Sequence, residues 1–148
     1  MYELIEKVTE PVAKVTDELH LSYDDRKRGR LKAITLSGQK AGLFLERGHV
    51  LSSGDRLRAR SGEVIAVVSA PEPVVTGYCD DLLELARACY HLGNRHVPLQ
   101  IGDGWVRIQP DHVLEGLMHH LGMRTQHEDA PFEPENGAYH GLGHGHAH

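Results

Sequence analysis

The stretch His91-Leu92-Gly93-Asn94-Arg95-His96-Val97-Pro98-Leu99-Gln100-Ile101 joins a helix to a strand and puts a histidine at the joint. Residues 80–92 carry an amphipathic pattern, and Gly93 and Asn94 are expected to close that helix, since both tolerate a left-handed last turn. Pro98 drives Val97 into extended geometry, and residues 99–101 alternate like a strand. His96 is therefore expected on a short, stiff connection held at both ends. Connections of this kind often carry function, although a ring bonded to a nearby backbone group is their ordinary occupant.

Working outward, residues 74–76 read as a strand, and Asp80 or Asp81 caps the helix. Glu84 completes a capping-box spacing from Asp81, and Leu82, Leu85, Ala86 and Cys89 would form the buried stripe. Residues 99–101 and 105–108 are two strands joined at Gly102-Asp103-Gly104, a strong hairpin signal. Asp111 caps a second helix whose apolar face would be Val113, Leu114, Leu117, Met118 and Leu121. Gly122 ends it, and residues 123–127 are a last strand candidate. The order strand, helix, strand, strand, helix, strand predicts a ferredoxin-like βαββαβ domain.

Before this part the chain is short strands and turns. Residues 2–8 and 12–15 look like strands separated by Glu10-Pro11, and residues 24–29 look like a charged turn. Residues 30–36 alternate with period two, and residues 41–45 form a compact apolar strand. Arg56, Arg58 and Arg60 would share the solvated face of a further strand, which residues 64–68 follow. The pattern predicts a small β-sandwich or barrel, and Ala70-Pro71-Glu72-Pro73 reads as a stiff polar connection after it. The fold class expected is α+β: residues 1–70 β-rich, 71–130 ferredoxin-like, and 131–148 a tail.

A chain of 148 residues is long enough for one ordinary domain or two small ones. Its net charge of −5 is unevenly spread: residues 1–60 hold twelve Lys/Arg against nine acids, residues 61–148 four against twelve. All five lysines precede Gly42, whereas ten of the twelve histidines fall in the acidic part. Clustered imidazoles on an acidic surface repel nucleic-acid phosphates and attract divalent cations. Cys79 and Cys89 make no disulfide framework; on or beside one helix they would point in different directions. With no apolar run near a membrane span and no signal peptide at the acidic start, no membrane partner and a cytoplasmic location are expected.

From Ala130 onward the chain loses core-forming character, and its glycine- and histidine-rich end should be mobile. His144, His146 and His148 alternate with small residues, with His140 one step back. Two or three such rings could fold round one ion, with affinities following the general Ni, Cu and Zn order. His112 and His119 fall on one helix face with His120 beside them, and His119 and His120 read as solvated. No closed zinc spacing and no phosphate-cradling Gly-x-x-x-x-Gly-Lys loop occurs. No serine or cysteine stands in a nucleophile context, so catalysis finds little support. An RNA-binding module is disfavoured, because the central strands offer only Trp105 as a stacking platform and the domain is acidic.

Gly93-Asn94-Arg95-His96-Val97-Pro98-Leu99-Gln100, Asp111-His112-Val113-Leu114, Pro131-Phe132-Glu133-Pro134-Glu135 with Gly137-Ala138-Tyr139, and the histidine-rich end together resemble the UreE family. The resemblance covers essentially the whole chain, including residues 51–57 with their Gly54-Asp55 turn. It implies a nickel metallochaperone among the urease accessory proteins, not an enzyme. Its N-terminal domain would be similar to a chaperone peptide-binding module, and its ferredoxin-like domain would bind metal and form a homodimer. By that likeness His96 is the primary ligand, brought beside its partner copy at the dimer axis, and His112 matches a peripheral ligand of some members. Some members carry a histidine two positions before it, where Pro110 stands here. Ni(II) would be the cargo, with Zn(II) or Cu(II) bound in vitro, and the urease accessory GTPase and maturation complex would be the partners. A general Ni/Zn/Cu storage protein, and a metalloenzyme using His96 and His112, are the alternatives.

Overall fold

A computed structural model describes residues 1–11 and 14–136. The chain divides into two compact units, Met1–Pro71 and Glu72–His148.

The first unit is one mixed sheet. Its strands are β1 Tyr2–Lys7, β2 Asp17–Leu21, β3 Arg30–Ile34, β4 Lys40–Phe44, β5 Arg56–Ala59 and β6 Val64–Ser69, in the order β2-β6-β5-β1-β4-β3. Leu4, Leu19, Leu43, Leu57, Ile65 and Val67 fill its interior, each fully buried. The sheet nearly closes on itself. Just past β3, the Leu36 N–H donates to the carbonyl of Glu18 on β2 at 2.8 Å. The Asp17 carboxylate accepts from the Ser37 N–H at 3.2 Å and from the Ser37 hydroxyl. Those hydrogen bonds, Ser37's first and Thr35's next, pull the Asp17 pKa from 3.8 to about 2.

Two expectations change here. The strand foreseen at residues 12–15 lies partly outside the described residues, and residues 14–16 are not strand; β2 begins at Asp17 instead. Its inward positions are Asp17, Leu19 and Leu21, so a hydrogen-bonded carboxylate stands where the alternation calls for an apolar residue. The charged turn at residues 24–29 opens as a helical turn, α1 Tyr23–Arg26, capped by Ser22. Arg26 is buried, with Nη1 donating to the Leu51 carbonyl at 3.2 Å while the Leu51 N–H donates back to the Arg26 carbonyl at 2.9 Å. By contrast, Arg56, Arg58 and Arg60 do alternate with buried Leu57 and Ala59, and Arg58 bridges Glu6 and Glu10.

The second unit runs β7 Pro71–Tyr78, α2 Leu82–Gly93, β8 Gln100–Gly102, β9 Trp105–Ile108, α3 His112–His120 and β10 Arg124–Pro131. The sheet order β10-β7-β9-β8 is the ferredoxin-like arrangement. Pro71 and Pro73 are not a separate connection: they begin β7, outside its register with β9, which starts at Val75. Proline is tolerated at the start of a strand, where its missing N–H weakens the ladder least. A side chain at Gly77 would put its Cβ 2.5 Å from the Met118 methyl and 2.6 Å from the Met123 sulfur. Glycine there lets α3 and the chain after it close onto β7.

Asp81 caps α2, accepting from the Glu84 N–H at 2.8 Å, and Asp111 caps α3, accepting from Val113 and Leu114. The buried face of α2 is Ala88 and Leu92, with Leu85 and Cys89 beside them. Ala86 stands about 100° off that row and is exposed, and Leu82 in the first turn is 80% exposed. On α3, Leu114 and Met118 are buried with Leu117 and Leu121 against them, while Val113 faces out.

Candidate metal centre

The connection from α2 to β8 is built by main-chain turns. Asn94 continues in right-handed geometry, φ −66° and ψ −15°, its N–H directed at the carbonyls of Tyr90 and Leu92. Arg95 N–H then donates to Leu92 and His96 N–H to Gly93, each at 3.1 Å. The left-handed residue is His96 itself, with φ +55°, the one non-glycine residue at positive φ among the described residues. Gly93 and Asn94 were expected to take that role; the tight turns at the helix end occupy their carbonyl partners and pass the reversal two residues on. A non-glycine residue held there costs about 1–3 kcal/mol, a strain that tends to persist at functional positions. The His96 ring is exposed and makes no hydrogen bond among the described residues. Val97 and Leu99 then pack on the core and anchor the far side of the connection.

His112 is the first residue of α3 and is also exposed. The two histidine-bearing connections border one depression of about 160 Å³, lined by Val97 and Pro98 from one side and Pro110, Asp111 and Leu114 from the other. His140, His144, His146 and His148 lie outside the described residues. Among the described residues, no three His, Cys, Asp or Glu groups are placed together to hold an ion. His91 lies in the last turn of α2 with its ring edge-on to Tyr90 at 5.2 Å.

The segment after β10 was expected to be tail, yet it is built into this unit. Phe132 is fully buried. Arg107 Nη1 donates to the Pro131 carbonyl at 3.4 Å, while its Nε donates to Thr76 Oγ1 at 2.9 Å and its guanidinium stacks 4.4 Å from the Trp105 ring centre. The Glu133 N–H donates to Gln100 Oε1 at 2.9 Å, and the Glu135 N–H to the Leu99 carbonyl at 2.8 Å. β10 and β8 are opposite edges of the sheet, so this strap crosses from one edge to the other. It ends three residues from His96. Two prolines and two acids hid it; the lone aromatic between the prolines was the readable signal.

Two further groups were not foreseen. His127 Nε2 lies 2.9 Å from both carboxylate oxygens of Glu115, and His119 Nε2 lies 2.7 Å from Thr125 Oγ1 and 4.0 Å from Glu115. The hydrogen bond from His127, above all, holds the Glu115 carboxyl below its usual range. Glu115 and His119 are one helical turn apart, a spacing legible in the sequence; the strand partner was not. Cys79 and Cys89, expected to diverge, both pack against the same apolar cluster. Burial, more than the nearby carboxylates, pushes both thiols up, which makes them poor nucleophiles.

The fold defines a two-unit α+β protein, a small β unit followed by a ferredoxin-like one, and comparison with known proteins gives the family. Residues 2–70 match the model of the UreE urease accessory protein N-terminal domain, and residues 72–148 match that of its C-terminal domain. The chain is 54% identical to the urease accessory protein UreE of Pseudoalteromonas translucida, over 94% of this chain and 85% of that one. It is 50% identical to UreE of Marinobacter nauticus, over 100% of this chain and 88% of that one. With UreE of Psychromonas ingrahamii the figures are 43% identity, 100% and 97%. The chain belongs to the UreE urease accessory protein family, and its role lies in urease maturation. No helix of the described residues is long and apolar enough to cross a membrane.

Proposed function

We propose that this chain carries Ni(II) as cargo and delivers it for assembly of the urease active site, acting as a cytoplasmic homodimer rather than as an enzyme. The observation that carries the reading is His96: an exposed, unbonded ring on a left-handed residue, between anchored flanks. One imidazole is a poor site, but a two-fold axis sets the same ring opposite itself. Tyr90 and Val113, exposed apolar neighbours of His91 and His112, supply surface for a second copy to cover. The strap supports a share for the tail, since the chain enters residues 137–148 one residue after the bond to Leu99. Two folded rings, His112 at the border and rings from His140, His144, His146 and His148 would hold an ion firmly enough to carry and loosely enough to release. Zn(II) and Cu(II) suit the same donors and are expected to bind in vitro.

The recipient is the urease maturation complex, with the accessory GTPase supplying the nucleotide chemistry absent from this sequence. A Ni(II) titration by calorimetry, with mass measured in the same buffer, tests the reading: one tight site per dimer, lost in His96→Ala, is expected. A pull-down that recovers the urease GTPase separates delivery from plain Ni/Zn/Cu storage.

A further inference from the structure

One hollow of the first unit is ringed by cations that the fold leaves without carboxylate partners. It holds about 680 Å³ and is bordered by Lys27, Arg28, Arg30, Arg47 and Glu46. Elsewhere on the sheet Arg58 and Arg60 are paired with glutamates, and Lys27 is paired with Asp24 at 3.1 Å. Arg28, Arg30 and Arg47 make no ion pair among the described residues, and Glu46 is the one carboxylate on the border. Like charges gathered in this way repel one another, and the core of the unit does not call for them.

The segments that carry these cations are pinned together. Lys27, Arg28 and Arg30 lie where α1 runs into β3, and Arg47 lies on the loop after β4. The Leu45 N–H donates to the Gly29 carbonyl at 2.8 Å, and the Leu51 N–H to the Arg26 carbonyl at 2.9 Å. Gly29 permits that approach, since an added Cβ would stand 2.7 Å from the Leu45 carbonyl oxygen. Buried Arg26 ties the far end of the loop through its 3.2 Å bond to the Leu51 carbonyl. A second hollow of about 440 Å³ shares Arg28, Leu45 and Glu46 with the first and adds Ile5, His49 and Leu51. Its other carboxylate, Glu6, is held by Arg58 at 3.0 Å. The first hollow therefore offers guanidinium forks on a fixed backbone, and the second an apolar wall with one imidazole.

From this arrangement we infer that the hollow between the α1–β3 turn and the loop after β4 binds a small polyphosphate anion, its phosphate oxygens on Arg28, Arg30 and Arg47. Planar guanidinium groups match phosphate oxygens two at a time, and neighbouring phosphates present the dense charge that three of them can meet. Inorganic polyphosphates and nucleoside polyphosphates share this chemistry; in the second case the adjoining hollow would receive the nucleoside. A nucleic-acid strand needs its cations set out along a track, whereas here they ring one hollow.

The test is an NMR and calorimetric titration of the full, metal-free chain with sodium triphosphate, ATP, adenosine and hexaglutamate. Triphosphate is expected to shift residues 27–30 and 45–47, with affinity falling as salt rises. Tighter binding of ATP, with added shifts at Ile5, His49 and Leu51, would assign the nucleoside form, and equal binding the inorganic one. Arg28→Gln with Arg47→Gln should weaken triphosphate binding roughly tenfold or more, whereas Glu46→Gln should tighten it several-fold. Arg56→Gln with Arg60→Gln removes the same charge outside the hollow and should change affinity little. All five positions are exposed, so the variants test the surface and not the fold. Absence of triphosphate binding in the millimolar range would overturn the inference. So would hexaglutamate or adenosine binding as tightly at these residues, equal loss in the two double variants, or shifts confined to the second unit.

Discussion

The main-chain N–H of Glu135 and the carbonyl of Leu99 are joined by a 2.8 Å hydrogen bond that fastens the end of the strap to the sheet edge nearest His96. Phe132, fully buried beneath the strap, is its anchor. Phe132→Ala should cost roughly 3–5 kcal/mol of stability from the emptied site, and Phe132→Leu much less. If the strap also directs the tail, Phe132→Ala should loosen the tight nickel site several-fold. Denaturant unfolding beside a Ni(II) titration reads both. A destabilised variant with unchanged nickel affinity would separate the strap from the metal.

His96→Gly removes the ring and relieves the left-handed strain together. Stability should hold or rise by about 1 kcal/mol, and the tight nickel site should vanish. A marked drop in stability would instead make the ring a structural group.

Cutting the chain after Tyr139 removes His140, His144, His146 and His148. One tight nickel site per dimer should survive, with the weaker ones gone. Absence of any nickel binding above the micromolar range in the shortened chain would make the tail the true site.

Nickel affinity should fall as pH drops below about 6.5, since protonated imidazole cannot ligate. A flat profile from pH 7.5 to 5.5 would point to carboxylate ligands.

Acid stability of the first unit has a separate origin. The Asp17 carboxyl titrates at about 2 in the fold against an ordinary 3.8. A folded pKa below the unfolded one contributes stability above pH ~4 that is lost as pH falls through about 2. Asp17→Asn turns one acceptor toward Ser37 into a donor and should cost roughly 1–3 kcal/mol at neutral pH. The gap to the parent should narrow as pH approaches 2, which urea unfolding across pH would record.

Much of the second unit was legible in the sequence because period and punctuation agree there. Asp81 and Asp111 cap where the apolar patterns begin, and Asp103-Gly104 turns the hairpin, with Gly104 at φ +80°. What stayed hidden depends on partners distant in sequence. Asp17 and Arg26 are polar residues turned inward because Ser37, twenty positions on, and Leu51, twenty-five on, satisfy them. Phe132 is fully buried although it lies inside a run whose composition argues for a tail. The exposed side of α2 at Leu82 could not be told from its buried side, since both are leucine-rich. At the candidate site, residue identity was readable but backbone shape was not: the positive φ of His96 follows from turns that spare Gly93 and Asn94.

That backbone shape makes position 96 an interchangeable socket. The reversal is dictated by amide bonds to Leu92 and Gly93, not by anything the imidazole touches, so the turn should accept other side chains that tolerate left-handed geometry. Asparagine and aspartate are the best suited of these. Either would swap a nitrogen donor for oxygen while keeping the connection, moving ion preference from nickel, copper and zinc toward magnesium and manganese. Donor chemistry and loop architecture are thus decoupled at this residue, and a single codon could retune the proposed cargo without redrawing the path of the chain.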